Sequence, residues 1–483
     1  MTETDTRIDP RLLRMVAVML VGGIAVLFDS TIVAIAVQTL ATDLHASLTT
    51  IQWVSTGYLL ALGVTIPLAV WAQGRIGGKN LWLVGLVLFG FGSVAASLAP
   101  GIGLLVAARA VQGVGGGILL PLMTTLPMQA AGGKASGRMV AMVGLPMVLG
   151  PVLGPLVGGA VLHWLSWRWM FWINVPLVVT GFVLARRHLP DDRPTARSGL
   201  DGLGAFLLPV GLVGVLYGLS EVGSDHGFGH AGVLVPLLVG AALVSAFVVH
   251  AVRAGGQALV DVRLLRLRSV GSSSAALFVA GASMFGTMLL LPLFWQQVRG
   301  ASALTAGLMM VPQGVGSIFS RTIAGRLTDA IGARSVTVAA FLIVGLTTVP
   351  FAFAGPTTST WWLVGLLVVR GFGLGGVIIP VMAVSFLDTS PAQVPHASVL
   401  TRISQQVGGA FGTAVLAVVL DSAVRSSGDP LAAFHHAFWW AVGFTGLALV
   451  ACGWLPGKRA AGQTASENAS SGQPVAATAN LAR

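Results

Sequence analysis

The chain has 483 residues, of which 55% are hydrophobic and 9% charged, against roughly 25% charged in soluble globular domains. So few charges could not cover a soluble fold of this size, and 64 glycines fit close helix–helix contact in lipid better than a tight Leu/Ile core. The net charge of +11 would suggest nucleic acid in a soluble protein, and the single cysteine, Cys452, excludes an internal disulfide framework and a Cys-based metal site.

A helix needs about 20 apolar residues to cross a bilayer. Fourteen such runs follow in chain order: 13–37, 50–72, 80–99, 102–126, 137–161, 167–186, 201–220, 231–251, 269–296, 304–325, 334–354, 361–387, 396–421 and 434–456. They are continuous, which excludes a closed β-barrel of short alternating strands. The first run contains Asp29 and is too long for a signal peptide, although Ala34-Ile35-Ala36 resembles a cleavage site. With the N-terminus placed in the cytoplasm, the opposite side holds only Arg168, Arg299 and Arg425 of the 27 basic residues, and Arg109, Arg370 and Arg402 lie within spans. That bias is the positive-inside signature, and it accounts for the positive charge without nucleic acid. It predicts both termini in the cytoplasm.

The runs repeat. The fourth carries Arg109, Gln112-Gly113 and Gly115-Gly116-Gly117 before Pro121; the twelfth carries Arg370, Gly373 and Gly375-Gly376 before Pro380. The second is followed by Gly74-Arg75-Ile76-Gly77-Gly78-Lys79, the tenth by Gly325-Arg326-Leu327-Thr328-Asp329-Ala330-Ile331-Gly332-Ala333-Arg334. The expectation is an all-α integral membrane protein of two six-helix bundles with two inserted helices. Its parts are a cytoplasmic N-terminus (1–12), a first bundle (13–190), a linker with the inserted pair (191–252), a second bundle (253–457) and a disordered tail (458–483). Internal repeats with a site between them are the plan of many secondary transporters.

Asp29 is the one acidic residue well inside a span. An intramembrane charge usually faces a cavity or a partner and marks an ion or proton pathway, so Asp29 reads as a proton site; the plainer reading ties it to Ser30 or Thr31 for packing. Arg109 is its natural counter-ion, since a guanidinium stays charged; alternatively it bonds carbonyls exposed by nearby glycines. Arg370 is expected by repeat symmetry to hold structure, and Arg402, near a span end, to snorkel. Gly150, Gly154 and Gly158 share one helix face, and Pro151 and Pro155 predict a kink, so this run reads as a packing seam, a bendable gate, or both. Phe28, Thr31, Tyr58, Gln112, Gln296, Gln313 and Gln405 are expected to face a substrate cavity. Trp53 and Trp295, at span ends, read as interface anchors. The nine histidines form no ligand cluster, no phosphate-binding Gly-x-x-x-x-Gly-Lys-Ser/Thr loop is present, and no Ser/His/Asp grouping suggests a hydrolase. No metal or cofactor is expected, nor catalysis.

Several segments resemble the major facilitator superfamily, and more narrowly its fourteen-helix drug:proton antiporters of the QacA/EmrB type. They are Phe28-Asp29-Ser30-Thr31-Ile32-Val33 with Ala36, Gln52-Trp53-Val54 with Tyr58-Leu59-Leu60, Arg109 with Gln112-Gly113, the Gly-Pro run Gly144–Gly159, and Ser166-Trp167-Arg168-Trp169 with Phe171 and Ile173-Asn174-Val175-Pro176. The resemblance implies a proton-coupled exporter of lipophilic, often cationic drugs or antibiotics in a bacterial cytoplasmic membrane. Asp29 and Arg109 would couple protons, and Arg75, Lys79, Gly150, Pro151, Gly154, Pro155, Asp329 and Arg334 would gate. Its partners would be protons, small lipophilic substrates and the bilayer, with a monomer as the working unit. The loop after the second run departs from the family pattern, with Gly74 where an acid is usual and Gly78 where a second Arg is usual, while the second copy keeps Gly325, Asp329, Gly332 and Arg334. Rival readings are a dedicated exporter of one endogenous product, a proton-coupled nutrient importer, and a membrane sensor.

Overall fold

A computed structural model describes residues 10–130, 154–191, 199–221, 230–255, 258–389 and 393–457. The start of the N-terminal segment, most of the fifth expected span with Gly150 and Pro151, and the tail 458–483 lie outside the described residues. The first six long helices are α1 (Pro10–Ile32), α2 (Trp53–Ile76), α3 (Gly78–Ser97), α4 (Ile102–Ala130), α5 (154–164) and α6 (Asn174–His188). Next come α7 (Gly202–Glu221) and α8 (Ala231–Ala254). The last six are α9 (Arg268–Leu293), α10 (Val311–Ile331), α11 (Ala333–Thr348), α12 (Thr360–Gly375), α13 (Val394–Ser427) and α14 (Pro430–Gly453). No strand occurs among the described residues, and 13 of their helical stretches are long and apolar enough to cross a membrane. The expected run at 137–161 is described only from residue 154.

Some boundaries move. Helix α13 runs past the expected end at 421 to Ser427, because Arg425 pairs with Asp421 one turn back at 3.0 Å, an i,i+4 contact that supports helix. It stops at Gly428 in the left-handed region (φ 64°), and Asp429 caps the next helix by accepting from Leu431 N at 2.9 Å.

The pairing of helices repeats. In the first half α1 packs on α4 and α6, α4 on α2 and α3, and α3 on α6; in the second half α9 packs on α14, α12 on α10 and α11, and α11 on α14. Glycines let these backbones approach closely: a Cβ on Gly113 would lie 2.5 Å from Tyr58 O, and one on Gly371 would lie 1.8 Å from Gln313 O. The halves meet where α13 crosses α2, where Val33–Ala36 touches α9, and where Pro155 and Gly159 touch residues 303–307.

The turns after α2 and α10 are copies of each other. Gly77 (φ 83°, ψ 156°) and Gly332 (φ 90°, ψ 149°) each end one helix and start the next. A side chain there is strained, since only glycine visits positive φ freely. Gly77→Ala and Gly332→Ala are each expected to lower stability by about 1–2 kcal/mol, read as a drop in melting temperature of the purified protein.

The inserted pair stacks α7 on α8, and α7 lies against both α2 and α13, bridging the halves. Trp53 donates Nε1–H to Ser220 Oγ at 3.2 Å and meets the Tyr217 ring, so it is a helix–helix contact rather than the expected interface anchor. Trp295 is 2% exposed and is likewise no anchor. Helix α8 turns Val235, Leu238, Val239, Val248 and Val249 outward, a surface stable only against lipid.

Asp201, just before α7, ties this insert to the second half. It accepts from Gly204 N at 2.8 Å, Leu259 N at 2.9 Å and His250 Nε2 at 2.7 Å. Burial pushes its carboxyl up, but the hydrogen bonds from Leu259, Gly204 and His250 outweigh that and hold its pKa below the ordinary 3.8. A depressed folded-state pKa adds stability that is complete above the unfolded value and lost as pH falls through the folded one. Thermal melts from about pH 7 to about pH 3 should therefore show a drop at the acid end that Asp201→Asn flattens.

Candidate functional site: a buried carboxylate–guanidinium cluster

Asp29 lies on α1 and is fully buried (0% exposed), as is Arg109 on α4 (1%). They form an ion pair, Arg109 Nη1 donating to Asp29 Oδ2. The structure thus joins the two residues that the sequence singles out separately. Arg109 also donates Nε–H to Val54 O at 3.0 Å and Nη1–H to Gln112 Oε1 at 2.7 Å, and its guanidinium lies 4.1 Å from the centre of the Tyr58 ring. Gln112 Nε2 and Asn174 Nδ2 donate to Asp29 Oδ1 at 2.9 and 3.1 Å. The same two amides reach Ser93 Oγ at 3.2 and 3.1 Å, and Ser93 donates onward to Phe171 O at 2.8 Å.

Local sequence places each group. Gly92 lets α3 approach α4 so closely that a Cβ there would lie 2.6 Å from Gln112 N, which brings Ser93 and Gln112 together. Asn174 is the first residue of α6, after the Trp169–Trp172 turn. A buried pair is tolerated when its remaining lone pairs and protons are satisfied, and here every other partner is an uncharged amide, hydroxyl or carbonyl. Among the described residues the carboxylate therefore has one charged neighbour, whose grip weakens if the carboxyl takes a proton. Sequence reasoning gives Asn174 and Ser93 no role. The Ile173-Asn174-Val175-Pro176 segment is the available signal for the first; nothing in sequence marks the second.

The residues expected to face a cavity are dispersed. Tyr58 (1% exposed) and Gln112 (0%) belong to the ion-pair cluster. Thr31 is buried (2%) under α5, where a Cβ on Gly154 would meet its hydroxyl, and Phe28 is half-buried one turn away. Gln296 donates to Ile35 O at 3.1 Å and bridges the halves, as does Gln297 bonded to Gln38. Gln313 accepts from Arg370, and Gln405 is half-buried on α13. Of the residues expected to gate, Lys79 pairs with Asp191, at the start of the linker, at 2.8 Å, Arg75 lies over the Trp71 ring of its own helix, and Arg334 is exposed. Pro155 O lies against Gly307. Asp329 falls in α10. No group of three or more metal-ligating side chains occurs among the described residues.

The second half holds a counterpart without the acid. Arg370 on α12 (1% exposed) donates Nη1–H to Gln313 Oε1 at 2.6 Å, Nη2–H to Thr287 Oγ1 at 2.6 Å and Nε–H to Thr348 Oγ1 at 3.1 Å. Thr287 stands in α9 at the register that Asp29 occupies in α1.

The chain matches the Major Facilitator Superfamily over residues 19–413 and 274–481. It is 35% identical over 416 residues, 86% of this chain and 77% of the relative, to the multidrug resistance protein B homolog of Mycobacterium tuberculosis. It is 32% identical to the cephamycin export protein CmcT of Amycolatopsis lactamdurans, covering 85% of each chain. With the lincomycin resistance protein LmrB of Bacillus subtilis the identity is 29%, over 89% of this chain and 92% of the relative. A crystal structure of a mutant of the nucleoside transporter NupG superposes with a TM-score of 0.65 at 12% identity, covering 92% of this chain and 98% of that one, which is a likeness of fold. With two halves of repeated helix pairing, buried charge in each, and a family match that runs through both, the chain belongs to the Major Facilitator Superfamily of membrane transporters.

Proposed function

We propose that the protein is a proton-coupled exporter of lipophilic drugs or antibiotics, of the fourteen-helix drug:proton antiporter branch, with both termini in the cytoplasm of a bacterial cell. The observation that carries the coupling is the Asp29–Arg109 pair: one titratable carboxyl sealed in the membrane core against a permanently charged partner. Asp29 would take a proton from outside and release it inside as the halves rock about the path between them. Gln112 and Asn174, themselves bonded to Ser93, hold the carboxyl in place in both protonation states, since neutral amides serve either form. The export direction and the drug class rest on relatives named for multidrug resistance, lincomycin resistance and cephamycin export. The cephamycin exporter also supports a second reading, a pump dedicated to one endogenous product.

The test is proton release from energised inside-out vesicles on adding a panel of lipophilic cations, anions and neutral antibiotics. Compounds that are exported should collapse the pH gradient only in vesicles containing the protein. A panel without any response would remove the multidrug reading and leave the dedicated exporter.

A further inference from the structure

Two irregular helical turns meet between the halves, at the ends of α1 and α9 that lie away from the N-terminus. After Ile32 the chain of α1 tightens into a 3-10 turn, Val33–Ala36, before a further helical stretch, Val37–Asp43. After Leu293 the chain of α9 loosens into a π turn, Phe294–Val298. Its hydrogen bonds slip in register: Arg299 N donates to Phe294 O at 3.3 Å and Ala301 N to Trp295 O at 2.9 Å. Short 3-10 and π pieces within long helices often mark hinges and functional points. Both turns come with glutamines. Gln38 and Gln296 stand at the same register, 28 residues after Pro10 and Arg268, the first residues of α1 and α9.

These glutamines join the halves. Gln297 donates Nε2–H to Gln38 Oε1, and Gln296 donates Nε2–H to Ile35 O of the 3-10 turn at 3.1 Å and to Pro292 O of its own helix at 3.2 Å. All three side chains are half-buried. Beside them the backbones close up: a Cβ on Gly159 would lie 2.6 Å from Ala303 O, and one on Gly307 would run into Pro155 O. Ile32, Ile35 and Ala36 share one apolar core with Leu290, Leu293 and Phe294, so a seal drawn from both halves lies against the glutamines. Both cross-bonds join neutral groups. Such a bond exchanges for bonds to water, and its net contribution shifts an equilibrium only about 2- to 12-fold. It biases two states without fixing either.

We propose that Gln38, Gln296 and Gln297 form a neutral latch that holds the transport path shut at the end away from the N-terminus. Opening that end parts the two irregular turns. Rewinding either turn toward α-helix swings its glutamine around the helix axis and off its partner. The latch rests on the rocking of the halves in the reading above and not on what is carried. It also gives Gln296, expected from sequence to face a substrate cavity, a place in the closure instead.

The experiment measures spin-label distances between Asp43→Cys in the first half and Thr357→Cys in the second, in the full chain in lipid nanodiscs, with the buried Cys452 replaced by alanine. Gln38→Ala and Gln297→Ala should each raise the ratio of long to short distances about 2- to 12-fold. The double variant should match the single ones, because both remove the same bond. In a second arm, a short cleavable bismaleimide across Gln38→Cys and Gln297→Cys should stop drug-driven proton release, and cleavage should restore it. Unchanged distances in both single variants would overturn the latch, as would full activity of the cross-linked protein. Unchanged distances with an altered preference among the panel compounds would overturn it too and return the glutamines to a substrate site. The distances need no substrate: a shift without any response to panel drugs would sink the multidrug reading and leave the latch standing.

Discussion

Asp29→Asn is expected to reduce drug-driven proton release in inside-out vesicles to the protein-free background while the protein still folds. The amide cannot take up and give back a proton, so the one membrane-core carboxyl of the first half is lost as a carrier. Removing one member of a buried ion pair typically costs about 3–5 kcal/mol. Here the cost should fall at the low end, because Arg109 keeps acceptors at Val54 O and Gln112 Oε1 and the Tyr58 ring face. The reciprocal change, Arg109→Gln, leaves Asp29 with the two amide donors of Gln112 and Asn174 and without its counter-charge. It should uncouple as well, because protonation of the carboxyl then has no ion pair to release. Equal proton release from Asp29→Asn and wild-type vesicles would move the coupling site elsewhere.

Gly371→Ala is expected to be among the most damaging small substitutions. A Cβ at this position would lie 1.8 Å from Gln313 O and 2.6 Å from its carbon, so α10 and α12 must part, and the Arg370–Gln313 bond goes with them. Overpacking of this kind costs typically about 1–3 kcal/mol, and more where backbone must shift; a large fall in melting temperature and in transport should follow. Gly365 is the control on the same helix. It has nothing within 4 Å of its Cβ position, so Gly365→Ala should be neutral or stabilising by up to about 1 kcal/mol. Similar melting temperatures for the two variants would show that the α10–α12 seam is not what the helix spacing implies.

Much of this architecture is legible in the chain itself. Apolar runs of membrane length name the helices because the bilayer leaves the backbone no other partner than itself, and the paired Arg109 and Arg370 segments and the paired glycine turns announce two copies of one unit. Asp29 stands out because a lone acid in such a run needs a reason. Class, repeat and the identity of the charged residues in the membrane all follow from the order of amino acids.

Who meets whom is a matter of helix packing. That Arg109 closes on Asp29 across 80 residues of chain, that Asn174 reaches the same carboxylate across 145, and that Ser93, Tyr58 and Gln112 join the cluster, all depend on which helix faces touch. So does the finding that Arg370 has a threonine where Arg109 has a carboxylate. The physical reason is that hydropathy depends on each residue's own transfer from water, whereas a buried charge is defined by its partners. Those are set by helix rotation and spacing, which glycine contacts govern and no local pattern encodes.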